Sequence, residues 1–390
     1  MDSRLVNLDK VILFSLMGFV FFSFYSISLT QISCGIGGLA WLAKCYITRS
    51  WGNQYFPLKI PILLFVLACL VAVLGGVDIL ESYKSLKRLL EILIFYWAVN
   101  CIDSENLRER LSLILILAAT ISTLSDFYTV WELGGVHHKV RAEGTMSVYM
   151  TYAGLLMLSI LLALGKLVFA PGENKGIYVA FILMVAGLLL TVTRQAWLGV
   201  LAGGIFLIWF RKKSLLLLLP VILFGVFSVS PSEIKYRINT LTNLQDANLK
   251  IRLSLWQGGW LVFKDHPLTG CGFKCIDAVN QKYPDPTGNI KRLRGMHSNF
   301  IQLAVDTGLF GLISWISIWV MFFIELNRKL NSEKGNPSFR RDAMGSAAAI
   351  VGFLVAGFFE TNFYDSEVSM LLYFIMALPF AASQPKANTS

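Results

Sequence analysis

The residue types most able to do chemistry stand in four short stretches: Arg194 in TRQAWLG, Arg252 with Trp256 and Trp260 in IRLSLWQGGW, His266 in DHPLTGCG and His297 in MHSNFIQLAVDTGLFGL. Arg194 opens an apolar run. An arginine in the first turn of a helix opposes the macrodipole, which costs free energy unless an anion lies nearby. Snorkelling to lipid headgroups is the plainer reading. Arg252, Trp256 and Trp260 are spaced by four and share one helix face. Such a face anchors an interfacial helix, or it sets the planar fork of Arg252 against a phosphate. His297 stands just before a helix start, with Ser298 or Asn299 as cap. The positive helix end disfavours imidazolium, and a neutral imidazole is what a general base at pH 7 requires. A lone histidine is more often structural. His266, beside Pro267, reads as a turn residue that satisfies backbone groups.

Other candidates point away from metal and nucleotide chemistry. His137 and His138 are adjacent, so they point in different directions, and no Cys/Asp/Glu set at ligand spacing accompanies them. No metal site is expected. There is no P-loop, no Rossmann glycine pattern and no G-x-S-x-G. No cofactor is expected either, so the energy for any reaction must come from the substrate. Cys271 and Cys275 share a polar loop and are able to pair in an oxidising space, which spacing alone leaves open. Cys34, Cys45, Cys69 and Cys101 lie in or beside apolar runs as small packing residues.

The elements that must position these residues are mostly hydrophobic. Apolar residues make up 55% of the chain, charged residues 15%, and mean hydropathy is +0.62. A soluble domain carries about 25% charged residues. The expected fold is an all-α polytopic membrane protein of about twelve transmembrane helices. The spans fall near 11–29, 31–47, 59–77, 88–102, 109–131, 147–170, 177–193, 195–210, 214–230, 299–326, 344–360 and 367–383. Residues 1–230 hold the first nine, 231–298 form a large outer loop containing short helices, and 299–390 hold the last three and a short tail.

The formal charge of +10 comes without a zinc-finger spacing, an RNA-binding motif or a long basic block, so nucleic acid is not an expected partner. In a membrane protein, lysine and arginine set orientation. Arg4, Lys10, Lys44, Arg49, Lys59, Arg211, Lys212, Lys213, Arg328, Lys329, Lys334, Arg340 and Arg341 then share the cytoplasmic side with both termini. Against that rule, Lys84, Lys87 and Arg88 fall outside, as do His137, His138, Lys139, Arg141 and Arg194. The connector ETNFYDSE is outside too. Basic residues kept at several separate outer helix mouths point to a shared anion.

TRQAWLG, the R-x3-W helix leading into DHPLTGCGF, and HSNFIQLAVDTGLFGL after a large outer loop resemble the O-antigen ligase family, over about residues 190–315. The resemblance implies a bacterial inner-membrane glycosyltransferase of the lipid-linked, GT-C type, with its site facing the periplasm. Such an enzyme moves a glycan from undecaprenyl pyrophosphate to lipid A–core, without nucleotide or metal. It would have membrane lipids around it and work as a monomer or weak homo-oligomer. The family's essential arginines would fall on Arg194 and Arg252, and its essential histidine on His297. Arg141 resembles a further family arginine, with Lys87, Arg88, His138 and Trp256 as additional substrate-binding candidates. Within the superfamily, a protein O-oligosaccharyltransferase or an O-antigen polymerase is the alternative. The former often carries a longer outer C-terminal part, where this sequence closes on QPKANTS, and the latter usually shows two sizeable outer loops. From another class comes a lipid or solute transporter, which would place ionisable residues mid-span rather than at outer helix mouths.

Overall fold

A computed structural model describes residues 3–134, 141–146, 148–170, 172, 175–240, 245–283 and 287–381. The described chain contains helices and no strand. In order they are α1 (Ser3–Phe22), α2 (Ile27–Thr48), α3 (Lys59–Leu74), α4 (Ile79–Ser85), α5 (Leu93–Cys101), α6 (Glu105–Glu132), α7 (Tyr149–Phe169), α8 (Lys175–Leu190) and α9 (Arg194–Arg211). There follow α10 (Leu219–Val229), α11 (Ser232–Asn239), α12 (Ala247–Asp265), α13 (Ile276–Val279), α14 (Asn289–Leu293), α15 (Asn299–Ser332), α16 (Pro337–Ala356) and α17 (Ser366–Ala377). Among them α1, α6, α7 and α15 are long and apolar enough to cross a bilayer. The protein is an integral membrane protein.

Several expected spans are shortened by local chemistry. The run expected at 11–29 breaks after Phe22, because Ser26 takes an extended backbone and its Oγ accepts from Leu29 N to start α2. The run at 88–102 opens with a 3₁₀ segment, Leu86–Ile92, before α5. The run at 214–230 is also split. Pro220 has no N–H and fits only the first turn, so α10 begins at Leu219 after a 3₁₀ stretch. In the segment 231–298, where short helices are expected, α12 runs to 19 residues.

α7 is the central post, buried along nearly all its length. Between helices in lipid there is little hydrophobic drive, so close packing over small residues sets the geometry. A Cβ on Gly165 would lie 2.4 Å from Gly345 Cα, and one on Gly199 would lie 2.7 Å from Gly352 O. These contacts lock α7, α9 and α16 together and fix where the N-terminus of α9 stands beside the C-terminus of α16.

At the far end of the same helices, charges bind the bundle. Arg108 Nε donates to Asp342 at 2.9 Å, and Lys166 Nζ reaches Asp342 at 2.8 Å and Glu109 at 2.7 Å. Arg341 Nη2 adds a bond to Glu109 at 2.6 Å. Breaking one member would strand a buried charge, so the set holds α6, α7 and α16 in register.

α15 is broken at Gly308, whose φ of 63° and ψ of −162° leave the helix. The turn 267–272 packs into the break, and a Cβ on Gly308 would meet Leu268 at 2.4 Å. The freed backbone groups find partners there: Leu309 N donates to Pro267 O, Cys271 N to Val305 O and Gly272 N to Asp306 O, at 2.8–3.0 Å. Buried backbone groups freed by a break in a helix need such partners. Cys271 in this turn pairs as a disulfide with Cys275 just after it, both buried. Around them Leu255, Val262, Ile276, Ile290, Met296 and Val305 form a small second core under α12. The first two turns of α15, with His297 at their head, are therefore aimed by α12 and the turn that follows it.

Candidate active site

Four arginines from four segments line one cleft of about 80 Å³: Arg141, Arg194 at the start of α9, Arg237 on α11 and Arg252 on α12. Tyr149, Gln195 and Asn248 complete the wall. Arg141 lies over the Tyr149 ring, 4.5 Å from its centre. Arg194 Nη2 donates to Thr240 Oγ1 at 2.6 Å and to Asp246 Oδ2 at 3.2 Å. Asp246 Oδ1 meanwhile caps α12 by accepting from Asn248 and Leu249 N–H. One carboxylate thus ties α9 to α12. Burial pushes that carboxyl up, but the hydrogen bond and charge of Arg194 and the two cap N–H groups outweigh it, and it sits below the usual carboxylate range.

The cleft has more cation than local anion. Arg194 Nε and Arg237 Nε are buried without a hydrogen-bond partner among the described residues. Burial, with the charges of Arg141 and Arg194, pushes the Arg237 guanidinium down. Burial does the same to Arg252, against the pull of Glu360. Charges held against their own desolvation and mutual repulsion are pre-organised for a polyanion.

Beside the cleft stands a histidine–carboxylate pair. His297 Nδ1 is 3.1 Å from Glu360 Oε1. The same oxygen accepts from Thr361 N at 3.0 Å, and Oε2 accepts from Gln195 Nε2 at 3.4 Å. Arg252 Nε donates to the Phe359 carbonyl at 3.1 Å, which brings α12 onto this connector. Burial pushes the Glu360 carboxyl up, but His297, Thr361 N–H and Arg252 together hold it below its ordinary value. A carboxylate facing Nδ1 assigns the proton to Nδ1 and leaves the Nε2 lone pair available. That is the tautomer a general base needs.

Of the candidates read from sequence, Arg141, Arg194 and Arg252 meet in the cleft, and His297 joins them through Glu360. Trp256 turns its Nε1 to the Met296 carbonyl at 3.0 Å and its ring towards Phe359. Arg88 is elsewhere. It lies over the Tyr364 ring at 5.3 Å, in a separate small cleft with Phe65, Glu91 and Phe273. Lys87 is exposed beside it. His138, with His137 and Lys139, lies outside the described residues. His266 ends α12 in the turn, its N–H bonded to Val262 O and Phe263 O.

Sequence reasoning missed Arg237 and Glu360. Arg237 is four residues from Glu233 on α11, which reads as an ordinary surface pair. Glu360 follows the C-terminal end of α16, where a negative charge is disfavoured, and that mismatch was the available signal.

The chain is thus a helical membrane protein with a basic cleft beside a histidine–carboxylate pair. Residues 179–316 match the family model described as O-Antigen ligase. That segment, about a third of the chain, contains Arg194, Arg237, Arg252 and His297. Members of this family are glycosyltransferase-like ligases and polymerases. A search of curated proteins returns no match.

Proposed function

We propose that the protein is an O-antigen ligase that transfers a glycan from undecaprenyl pyrophosphate to a sugar hydroxyl of lipid A–core. The observation that carries this reading is the convergence of Arg141, Arg194, Arg237 and Arg252 on one cleft next to His297 and Glu360. In the proposed reaction the arginines hold the diphosphate. His297 Nε2 takes the proton of the acceptor hydroxyl. The hydroxyl oxygen bonds to the anomeric carbon as the bond from that carbon to the diphosphate oxygen breaks, and the lipid diphosphate leaves. Negative charge grows on the departing diphosphate, and each pre-organised donor aimed at it lowers the barrier by about 3 kcal/mol. Direct attack without a carboxylate nucleophile inverts the anomeric centre. Glu360 is a positioning residue: it fixes the His297 tautomer and steadies the imidazolium that forms.

On this reading the cleft faces the periplasm, and the ionic cluster of Arg108, Lys166, Arg341 and Asp342 lies towards the cytoplasm. Twelve spans, the GT-C class and a monomer or weak homo-oligomer belong to the same proposal. Arg88 and Lys87 are proposed as contacts to a more distant part of a substrate.

Purified protein should transfer lipid-linked glycan to lipid A–core, and His297→Ala, Arg194→Ala and Arg252→Ala should each abolish transfer. Transfer to an acceptor protein instead would make it a protein O-oligosaccharyltransferase. Full activity in all three variants would remove the site assignment.

A further inference from the structure

His297 occupies a left-handed backbone conformation, with φ at 45°, which a residue with a Cβ rarely adopts unless its surroundings hold it. The holding contacts fall on the residue before it. Met296 is fully buried, and both of its backbone polar groups are taken by side chains rather than by helix. Gln302 Oε1 accepts from Met296 N at 2.9 Å, and Trp256 Nε1 donates to Met296 O at 3.0 Å. On the other side of the histidine, Asn299 N donates to Gly357 O at 2.7 Å and to Glu360 O at 3.1 Å.

The amide of Gln302 has two faces, and only one fits. Its Nε2 donates to Asp306 Oδ1 at 3.0 Å, so its oxygen must face Met296. Asp306 is buried one turn further along α15, just before the break at Gly308. A chain of bonds therefore runs from the break, through Asp306 and Gln302, to the peptide that aims the histidine.

We infer that Gln302 and Trp256 are positioning residues for His297: they clamp Met296 from both sides, hold His297 in its left-handed turn and so aim its ring at Glu360. Trp256 acts from behind the base rather than on the substrate. This inference rests on His297 acting as the base.

The test uses full-length protein in nanodiscs, with lipid-linked glycan and lipid A–core as substrates. Gln302→Glu sets a carboxylate oxygen against Asp306. It should lower kcat at least tenfold while the donor KM stays within twofold. Gln302→Glu with Asp306→Asn restores a donor–acceptor pair in the reverse sense and should recover most of kcat. Trp256→Phe keeps a ring against Phe359 but removes the N–H, and should lower kcat several-fold without raising the donor KM. Wild-type kcat in Gln302→Glu, or no recovery in the double variant, would overturn the clamp. So would Trp256→Phe raising KM alone, because Trp256 would then be a substrate contact. If Gln302→Glu fails to fold, Trp256→Phe decides. His297→Ala run alongside separates the two levels. An active His297→Ala sinks the base reading and the clamp with it, whereas an inactive one beside a normal Gln302→Glu sinks the clamp alone.

Discussion

Replacing Glu360 by glutamine keeps the shape of the side chain and removes its charge, which isolates what the carboxylate does for His297. The amide can be accommodated. Oε1 accepts from Thr361 N and faces His297, whereas Oε2, among the described residues, accepts from the Gln195 amide, which can rotate. The amide oxygen of the variant should therefore stay on the histidine side, and Nδ1 should keep its proton. What is lost is the attraction between carboxylate and imidazolium in the transition state. At an effective dielectric of about 20, two unit charges 3.1 Å apart attract by about 5 kcal/mol. The His297 side chain is 27% exposed and the Glu360 side chain 12%, so solvent screens part of this. About 3–4 kcal/mol should remain, a loss of about 10²–10³ in kcat. Donor KM should change little. The assay is steady-state transfer of lipid-linked glycan to lipid A–core, with thermal unfolding in detergent as the control for folding. A Glu360→Gln protein with wild-type kcat would refute the reasoning, because the dyad would then contribute nothing to the barrier.

Arg237 is held charged against its burial and the charges of Arg141 and Arg194, which Glu233 and Asp246 only partly offset, so Arg237→Gln should unfold at a higher temperature than wild type while kcat/KM for the donor falls about 10–100-fold; a lower unfolding temperature would contradict the net cost of that charge. Glu360 has its carboxyl depressed in the folded state, so its stabilisation is complete above the ordinary carboxylate pKa of about 4.5 and is lost as pH falls through the lower folded value. Unfolding temperature should drop in that acid window, and drop less in Glu360→Gln. Gly165→Val puts side-chain atoms where Gly345 already stands, so helix packing should loosen, with unfolding at least several degrees earlier and transfer lost. Treatment with EDTA should leave transfer unchanged; inhibition reversed by a divalent ion would require a metal in the reaction.

Local chemistry carried much of this protein. Hydrophobic runs in the sequence determined that the chain is helical and membrane-bound, because apolar length is a property of the segment itself. Arg194 and His297 were readable as special for a similar reason. A cation in the first turn of α9, and a histidine at the head of α15, conflict with or exploit a helix end that the sequence already marks. The turn DHPLTGCG was readable as well, since proline and glycine fix backbone wherever they stand.

Tertiary structure alone decided which of the cations near helix ends share a cleft. Lys87, Arg88 and Arg141 look alike as charges near helix mouths, yet Arg141 faces Arg194 whereas Arg88 lies over Tyr364. That choice depends on helices meeting at Gly165, Gly199, Gly345 and Gly352, and no local pattern encodes which glycine faces which. Glu360 stands 63 positions from His297, and the Phe359 carbonyl stands 107 from Arg252. Contacts so far apart in sequence form only when the whole bundle closes. Charge and helix register could therefore be read one segment at a time, but the pairing of base with carboxylate could not, because it is made by packing between segments.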